Sequence, residues 1–305
     1  MAVSLRATGT TSEEASASSA RDYVTLMKPN VMQLVVFTGA VGLFMAPGGL
    51  HPLLAAVTLL AILAGAGASA AINNWYDADI DVRMARTRNR PTANGRIAPE
   101  DALGFGVVLS ILSVMVLGLA TNWLAAGLLA FTIGFYVFVY TMFLKRRTPQ
   151  NIVIGGAAGA LPPVVAWAAV TGSVGILPIL MFLIVFLWTP PHFWALALYR
   201  SGDYAKVGVP MLPVVAGAET TRNHIFWYTV VLGAVTLAPV LTGQLGWIYG
   251  LLAAGLSAEF IRRAFNLRQT RSDVAAMRLF RFSIVYLFAV FVAMIVDRIV
   301  PAVLP

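Results

Sequence analysis

Asn73, Asp77 and Asp81 stand four residues apart where an apolar run ends, in the stretch AINNWYDADIDVRMARTRNRP from Ala71 to Pro91. Residues four apart share one face of a helix, so the three form a stripe about 12 Å long at ~1.5 Å rise per residue. Asp79 points elsewhere. Bunched carboxylates at a helix C-terminus repel one another and oppose the helix dipole, and two kinds of positive charge can offset that. The arginines that follow, Arg83, Arg86, Arg88 and Arg90, would make a solvated salt network. A hard divalent cation would make a different site. Mg²⁺ takes oxygen ligands and is often held by one or two carboxylates, waters and substrate phosphates. The arginines would then be free to grip phosphate bidentately. The spacing alone supports both arrangements.

A second segment with similar chemistry lies four apolar runs later, in ALYRSGDYAKVGVPMLP from Ala197 to Pro213. It offers Tyr199, Asp203, Tyr204 and Lys206, with Tyr199 and Asp203 again four apart. Two such segments on one side suggest two related four-span halves that face a shared cavity. Each would contribute oxygen ligands to one metal–diphosphate site. Just before the second segment, His192 sits inside an apolar run, in TPPHFWALA. An ionisable residue there is a functional candidate by default. Its plain reading is a neutral imidazole bonded across helices, to a carbonyl freed by Pro190 or Pro191.

The elements that must hold these residues are helices in a bilayer. Mean hydropathy is +0.81, 59% of residues are hydrophobic and only 11% are charged, about half the charge of a soluble domain. Continuous apolar spans run near 31–46, 53–72, 102–120, 123–143, 152–170, 176–199, 225–243, 246–261 and 283–300. Most approach the ~20 residues that cross a bilayer, and none alternates as a barrel strand would. The expected fold is an all-α integral membrane protein of about nine transmembrane helices. Of the 21 cations, 20 lie in the N-terminal approach or in the loops after spans two, four, six and eight, and only Arg298 lies beyond span nine. By the positive-inside rule the N-terminus is cytoplasmic. The net charge of +8 is thus a matter of topology and membrane lipid, with no nucleic acid partner implied. There is no cysteine, which excludes disulfides, thiolate metal sites, a cysteine nucleophile and covalent c-type haem attachment. Residues 1–22 read as a disordered tail without the apolar centre of a secretory signal, and 23–305 as a single transmembrane domain.

The stretches NNWYDADIDVRMARTRNRP, YTMFLKRRTPQNIVIGGAAGALPPVVAW and TPPHFWALALYRSGDYAKVGVPMLPVV, with MKPNVM before span one, resemble the intramembrane polyprenyltransferases. The resemblance covers most of residues 23–217. The pair Tyr199 and Asp203, where the superfamily usually carries two spaced aspartates, is similar to one branch, the protohaem IX farnesyltransferases. The resemblance implies nine helices around a central cavity, the substrates farnesyl diphosphate and haem B, and haem O as product. It implies Mg²⁺ held directly or through water by Asn73, Asp77, Asp81 and Asp203. Diphosphate contact falls to Lys28, Arg88, Arg90, Lys145, Arg146 and Lys206, with Tyr199 and Tyr204 orienting either set. His192 becomes a candidate haem ligand and Trp194 a porphyrin neighbour. A haem A synthase or an oxidase-assembly factor would receive the product. The implied location is the bacterial cell (inner) membrane, ahead of the mitochondrial inner membrane.

Two other readings compete. A quinone or aromatic compound could be the acceptor, although the wording DYAKVGVPMLP favours haem. A transporter would also use many spans and buried polar residues, but it places ion-binding acids near the midplane, whereas these acids gather at one membrane surface beside arginines. GGAAGALPP, Gly155 to Pro163, matches a phosphate loop in letters only, since it lacks the strand and the Lys-Ser or Lys-Thr pair. Its prolines predict a kinked span five. Asp297 with Arg298 reads as a surface pair.

Overall fold

The computed structural model describes residues 18–303, and among these every regular element is a helix. In chain order they are α1 (Ala20–Leu26), α2 (Pro29–Met45), α3 (Pro52–Tyr76), α4 (Ala78–Asp81), α5 (Pro99–Ala120) and α6 (Trp123–Gly134). The chain then continues as a π-helix (Phe135–Leu144). After it come α7 (Asn151–Ala160), α8 (Pro162–Thr171), α9 (Ile176–Tyr199), α10 (Ser201–Lys206), α11 (Leu212–Val215), α12 (Gly217–Leu241), α13 (Trp247–Thr270) and α14 (Asp273–Val303). Residues 1–17, most of the expected tail, lie outside the described residues. The helix begins three residues before the expected boundary at 23, where Ser19 and Asp22 form a reciprocal cap.

Seven helical spans are long and apolar enough to cross a membrane, and eight if α1 and α2, bent by 59°, count as one. The remaining expected span, the eighth in chain order, is α13. Its helix is 24 residues long, but the second half carries Glu259, Arg262, Arg263 and Arg268, so the apolar stretch alone is short. The faces turned outward are apolar as well. Val108, Ile111, Leu112 and Leu119 of α5 are all exposed, as expected of a surface that meets lipid.

Small residues set how close the rods come. A Cβ on Gly106 of α5 would lie 2.6 Å from Ile72 Cγ1 and 3.1 Å from the Ala68 carbonyl on α3. On α2, a Cβ at Gly42 would lie 2.4 Å from the Pro163 carbonyl. That neighbour is backbone and cannot rotate away. Gly42→Val is therefore expected to cost about 1–3 kcal/mol through overpacking, read as a lower melting midpoint of the purified protein. Pro162 and Pro163 do interrupt span five, at Leu161, where α7 gives way to α8.

Two apolar clusters fill the bundle, one among α2, α8, α9, α12, α13 and α14 and one among α3, α5, α6 and α8. Toward the C-terminal end of α14 the sequence expectation fails. Asp297 is buried rather than a surface partner of Arg298, and it accepts from the Gly246 and Tyr249 amides at 2.6 and 3.0 Å. It caps the free N–H groups of α13 and so ties α14 to α13.

Candidate active site

The acidic rim is assembled by α3, the π-helix and the break before α2. Lys28 precedes Pro29, and a residue before proline is pushed out of the α region. Here it takes a left-handed conformation, φ 55° and ψ 62°, rare for a residue with a side chain. The ammonium thereby reaches Asn73, donating from Nζ to Oδ1 at 2.8 Å. Asn73 donates from Nδ2 to Asp77 Oδ2 at 2.6 Å and to Thr141 Oγ1 at 3.3 Å. Asp77, fully buried at the end of α3, pairs with Lys145 Nζ through the same Oδ2. Thr141 and Lys145 thus meet Asn73 and Asp77 in parallel register. Thr141 lies on the π-helix, a rare element found often at functional sites, and Lys145 caps it.

Asp81 is buried too, and Arg90 Nη1 donates to its Oδ2 at 2.5 Å. Asp79 is exposed and faces Arg146, which donates to its two oxygens at 2.9 and 2.6 Å, donates to the Tyr76 carbonyl and stacks over the Tyr76 ring. Those hydrogen bonds hold the Asp79 carboxyl below its usual pKa. Asp203 sits on α10 with Arg200 and Lys206 at 3.7 and 3.9 Å, looser than hydrogen bonds. The two acid-bearing segments belong to one neighbourhood, because Ile80 and Met84 of the first pack in a single apolar cluster with Tyr204, Val209 and Met211 of the second.

Not every candidate converges. Arg88 and Lys206 are exposed, and Tyr199 is exposed with Arg200 over its ring. Lys28, Arg90, Lys145 and Arg146 are the cations held against the buried polar groups. Among the described residues no three carboxylates or histidines stand close enough to hold a metal unaided. A Mg²⁺ that shares its shell with waters and phosphate needs only one or two. Asp77 Oδ1 fits that demand. It is buried without a hydrogen-bond partner, and Arg146 Nη2 stands 3.5 Å from it. Beside this cluster an apolar cavity of about 130 Å³ runs between α2, α3, α6 and α8, lined by Lys28, Met32, Ile62, Tyr136 and Pro162 among others.

His192 is buried where α9 meets α14. Its ring is stacked between Trp188 and Phe280, with centroids 4.2 and 4.7 Å away. Ser283 Oγ donates to the Phe280 carbonyl at 2.6 Å, so at 2.6 Å it accepts the Nδ1–H of His192. This tautomer, inferred from the network, leaves the Nε2 lone pair free. Trp194 is not brought to His192. Two residues along a helix turn about 200°, and Trp194 meets His224 and Tyr228 edge-on instead. The aromatic neighbours are Trp188, visible in sequence at i−4, and Phe280, from a helix that no local pattern could pair with it.

The helices and rim define an intramembrane transferase fold. Residues 35–291 match the UbiA prenyltransferase family, and the chain belongs to it. It is a prenyltransferase. Among its relatives is a protoheme IX farnesyltransferase of Parvibaculum lavamentivorans, 58% identical over 93% of this chain and 91% of that protein. Another, from Nitrobacter hamburgensis, is 56% identical over 95% and 94%. Solved structures share the fold. A digeranylgeranylglyceryl phosphate synthase superposes with TM-score 0.76 at 19% identity, covering 91% of this chain and 97% of that one. A UbiA homologue from Archaeoglobus fulgidus bound to GPP and Mg²⁺ gives 0.62 at 18% identity, covering 90% and 99%.

Proposed function

We propose that the protein transfers the farnesyl group of farnesyl diphosphate to a vinyl group of haem B, giving haem O. The observation that carries this reading is the buried Asp77, with one oxygen unpartnered, among Lys28, Arg90 and Lys145 at the mouth of an apolar cavity. Relatives named for farnesyl transfer to protoheme support it. Mg²⁺, held by Asp77 and Asp81 with Asp203 and the Asn73 side chain nearby, would stabilise negative charge on the departing diphosphate. Lys28, Arg90, Lys145 and Arg146 hold the same phosphates, a preorganised set of donors of the kind that usually dominates catalysis. The cavity is smaller than the ~300 Å³ of a typical ligand pocket, so the isoprenoid tail enters it in part and continues toward lipid past exposed Val31. Apolar walls keep water from the allylic cation.

The bond from farnesyl C1 to the diphosphate oxygen breaks, and a bond from C1 to the terminal vinyl carbon forms. The cation left beside the porphyrin takes the oxygen of water and releases a proton. His192 Nε2 binds the haem iron and orients the ring. The chain crosses the bilayer nine times with its N-terminus inside, following the distribution of its cations, in a bacterial inner membrane.

The test is incubation of the purified protein with haem B, farnesyl diphosphate and Mg²⁺. Haem O and inorganic diphosphate are expected, with none after divalent ions are stripped and recovery when Mg²⁺ returns. Undiminished product in the stripped sample would refute the metal role. Transfer to a quinone or hydroxybenzoate in place of haem would refute the acceptor.

A further inference from the structure

A second cavity, polar and of about 460 Å³, lies between α13 and α14 and is lined by Arg262, Arg263, Asn266, Ala275, Arg278 and Leu279. None of these belongs to the acidic rim. One carboxylate serves two of the arginines. Glu259 accepts from Arg262 Nε and Nη2 at 2.6 and 2.8 Å and from Arg263 Nε at 2.6 Å. Arg263 is also stacked over Phe282, 4.4 Å from the ring centroid. Its terminal nitrogens, and the whole guanidinium of Arg278, make no hydrogen bond or ion pair among the described residues. Three fixed cations against one anion leave an excess of two positive charges around a hollow. Guanidinium forks match phosphate geometry.

Depth indicates the source of that phosphate. The two helices are pinned at their other ends by Asp297 against Gly246 and Tyr249. At ~1.5 Å per residue from the pin, Arg262 and Arg263 lie about 24–26 Å along α13 and Arg278 about 28 Å along α14. The hydrocarbon core is about 30 Å thick. The guanidiniums therefore arrive at the opposite headgroup layer, with Ala275 and Leu279 lining the hollow between them and Phe282 offering an apolar surface on the hydrocarbon side. The α13–α14 turn is on the membrane side of the second acidic segment, since Arg271 faces Glu219 at the start of α12. We propose that this cavity binds the phosphate of an acidic phospholipid, a phosphodiester whose glycerol and acyl chains leave along the apolar side toward the bilayer.

The experiment uses the full-length protein in detergent, washed free of lipid and titrated with phosphatidylglycerol, phosphatidylcholine or inorganic diphosphate, with bound ligand read by native mass spectrometry. Phosphatidylglycerol is expected to bind in preference to phosphatidylcholine. The double variant Arg263→Gln/Arg278→Gln should lose at least tenfold in phosphatidylglycerol affinity. Glu259→Gln, which removes the carboxylate shared by two arginines, should raise it severalfold, a gain that general loss of fold cannot produce. Should the double variant fail to fold, exposed Arg278→Gln alone is expected to weaken binding in the same direction. Equal phosphatidylglycerol binding in wild type and arginine variants would overturn the proposal. So would displacement of the lipid by equimolar inorganic diphosphate, which would mark a site for a soluble anion.

Discussion

Asp77→Asn is expected to lower farnesyl transfer roughly a thousandfold, as loss of a transition-state charge stabiliser does. It is also expected to raise the Mg²⁺ concentration at which the residual activity is half-maximal. The same substitution strips the half-buried Lys145 ammonium of its partner, and breaking a fully buried pair destabilises by about 3–5 kcal/mol, an upper bound here. The two effects separate in the double variant Asp77→Asn/Lys145→Gln. Removing the orphaned charge should restore most of the melting midpoint. Turnover should stay low and its Mg²⁺ requirement should stay raised, because the carboxylate is still missing. If the double variant recovers turnover to within about tenfold of Lys145→Gln alone, Asp77 is an anchor for Lys145 only. The salt-network reading of the acidic stripe would then replace the metal reading.

The second large effect concerns haem. His192→Ala should weaken haem B binding at least tenfold and shift the Soret band, with farnesyl diphosphate binding unchanged. Ser283→Ala should lose about tenfold, in the range typical when a residue that orients a metal ligand is removed. The serine accepts the Nδ1 proton and so keeps Nε2 available. An unaltered Soret band and affinity in His192→Ala would remove the ligand role and leave a cross-helix hydrogen bond. A changed spectrum in His192→Ala with none in Ser283→Ala would assign orientation of the ring to the Trp188 and Phe280 stack instead.

Much of the fold was legible because membrane spans are written in composition. The runs read at 123–143, 152–170 and 176–199 became helical spans at Trp123–Leu144, Asn151–Thr171 and Ile176–Tyr199. Less legible was α13, where the helix continues to Thr270 past the point at which the apolar run stops. A helix needs no apolar residues once it leaves the hydrocarbon. At the site, the four-residue spacing of Asn73, Asp77 and Asp81 announced one face, and structure puts Asn73 and Asp77 in direct contact. The dipeptide Lys28-Pro29 carried a signal for the chain break. The partners of these groups did not announce themselves. Thr141 is 68 residues from Asn73 and Ser283 is 91 from His192, and a single sequence has no period at such distances. Trp194 does not join His192 for a simpler reason, since adjacency along a chain is opposition around a helix. Asp297 was misjudged because its partners are amides, which every sequence has everywhere.

The π-helix makes this part of the chain sensitive to length. An α-helical turn takes 3.6 residues and a π turn takes more, so Phe135–Leu144 holds surplus chain wound into the membrane. Deleting one residue there without a change of winding would turn everything beyond it by one residue's rotation, roughly a quarter turn. Lys145 and Arg146 would then point away from Asp77 and Asp79, with no charged residue changed. Substitutions between 135 and 144 that keep the count, Thr141 aside, should be far better tolerated than any change of count, and the phase of ten uncharged residues thereby governs ion pairs that contain none of them.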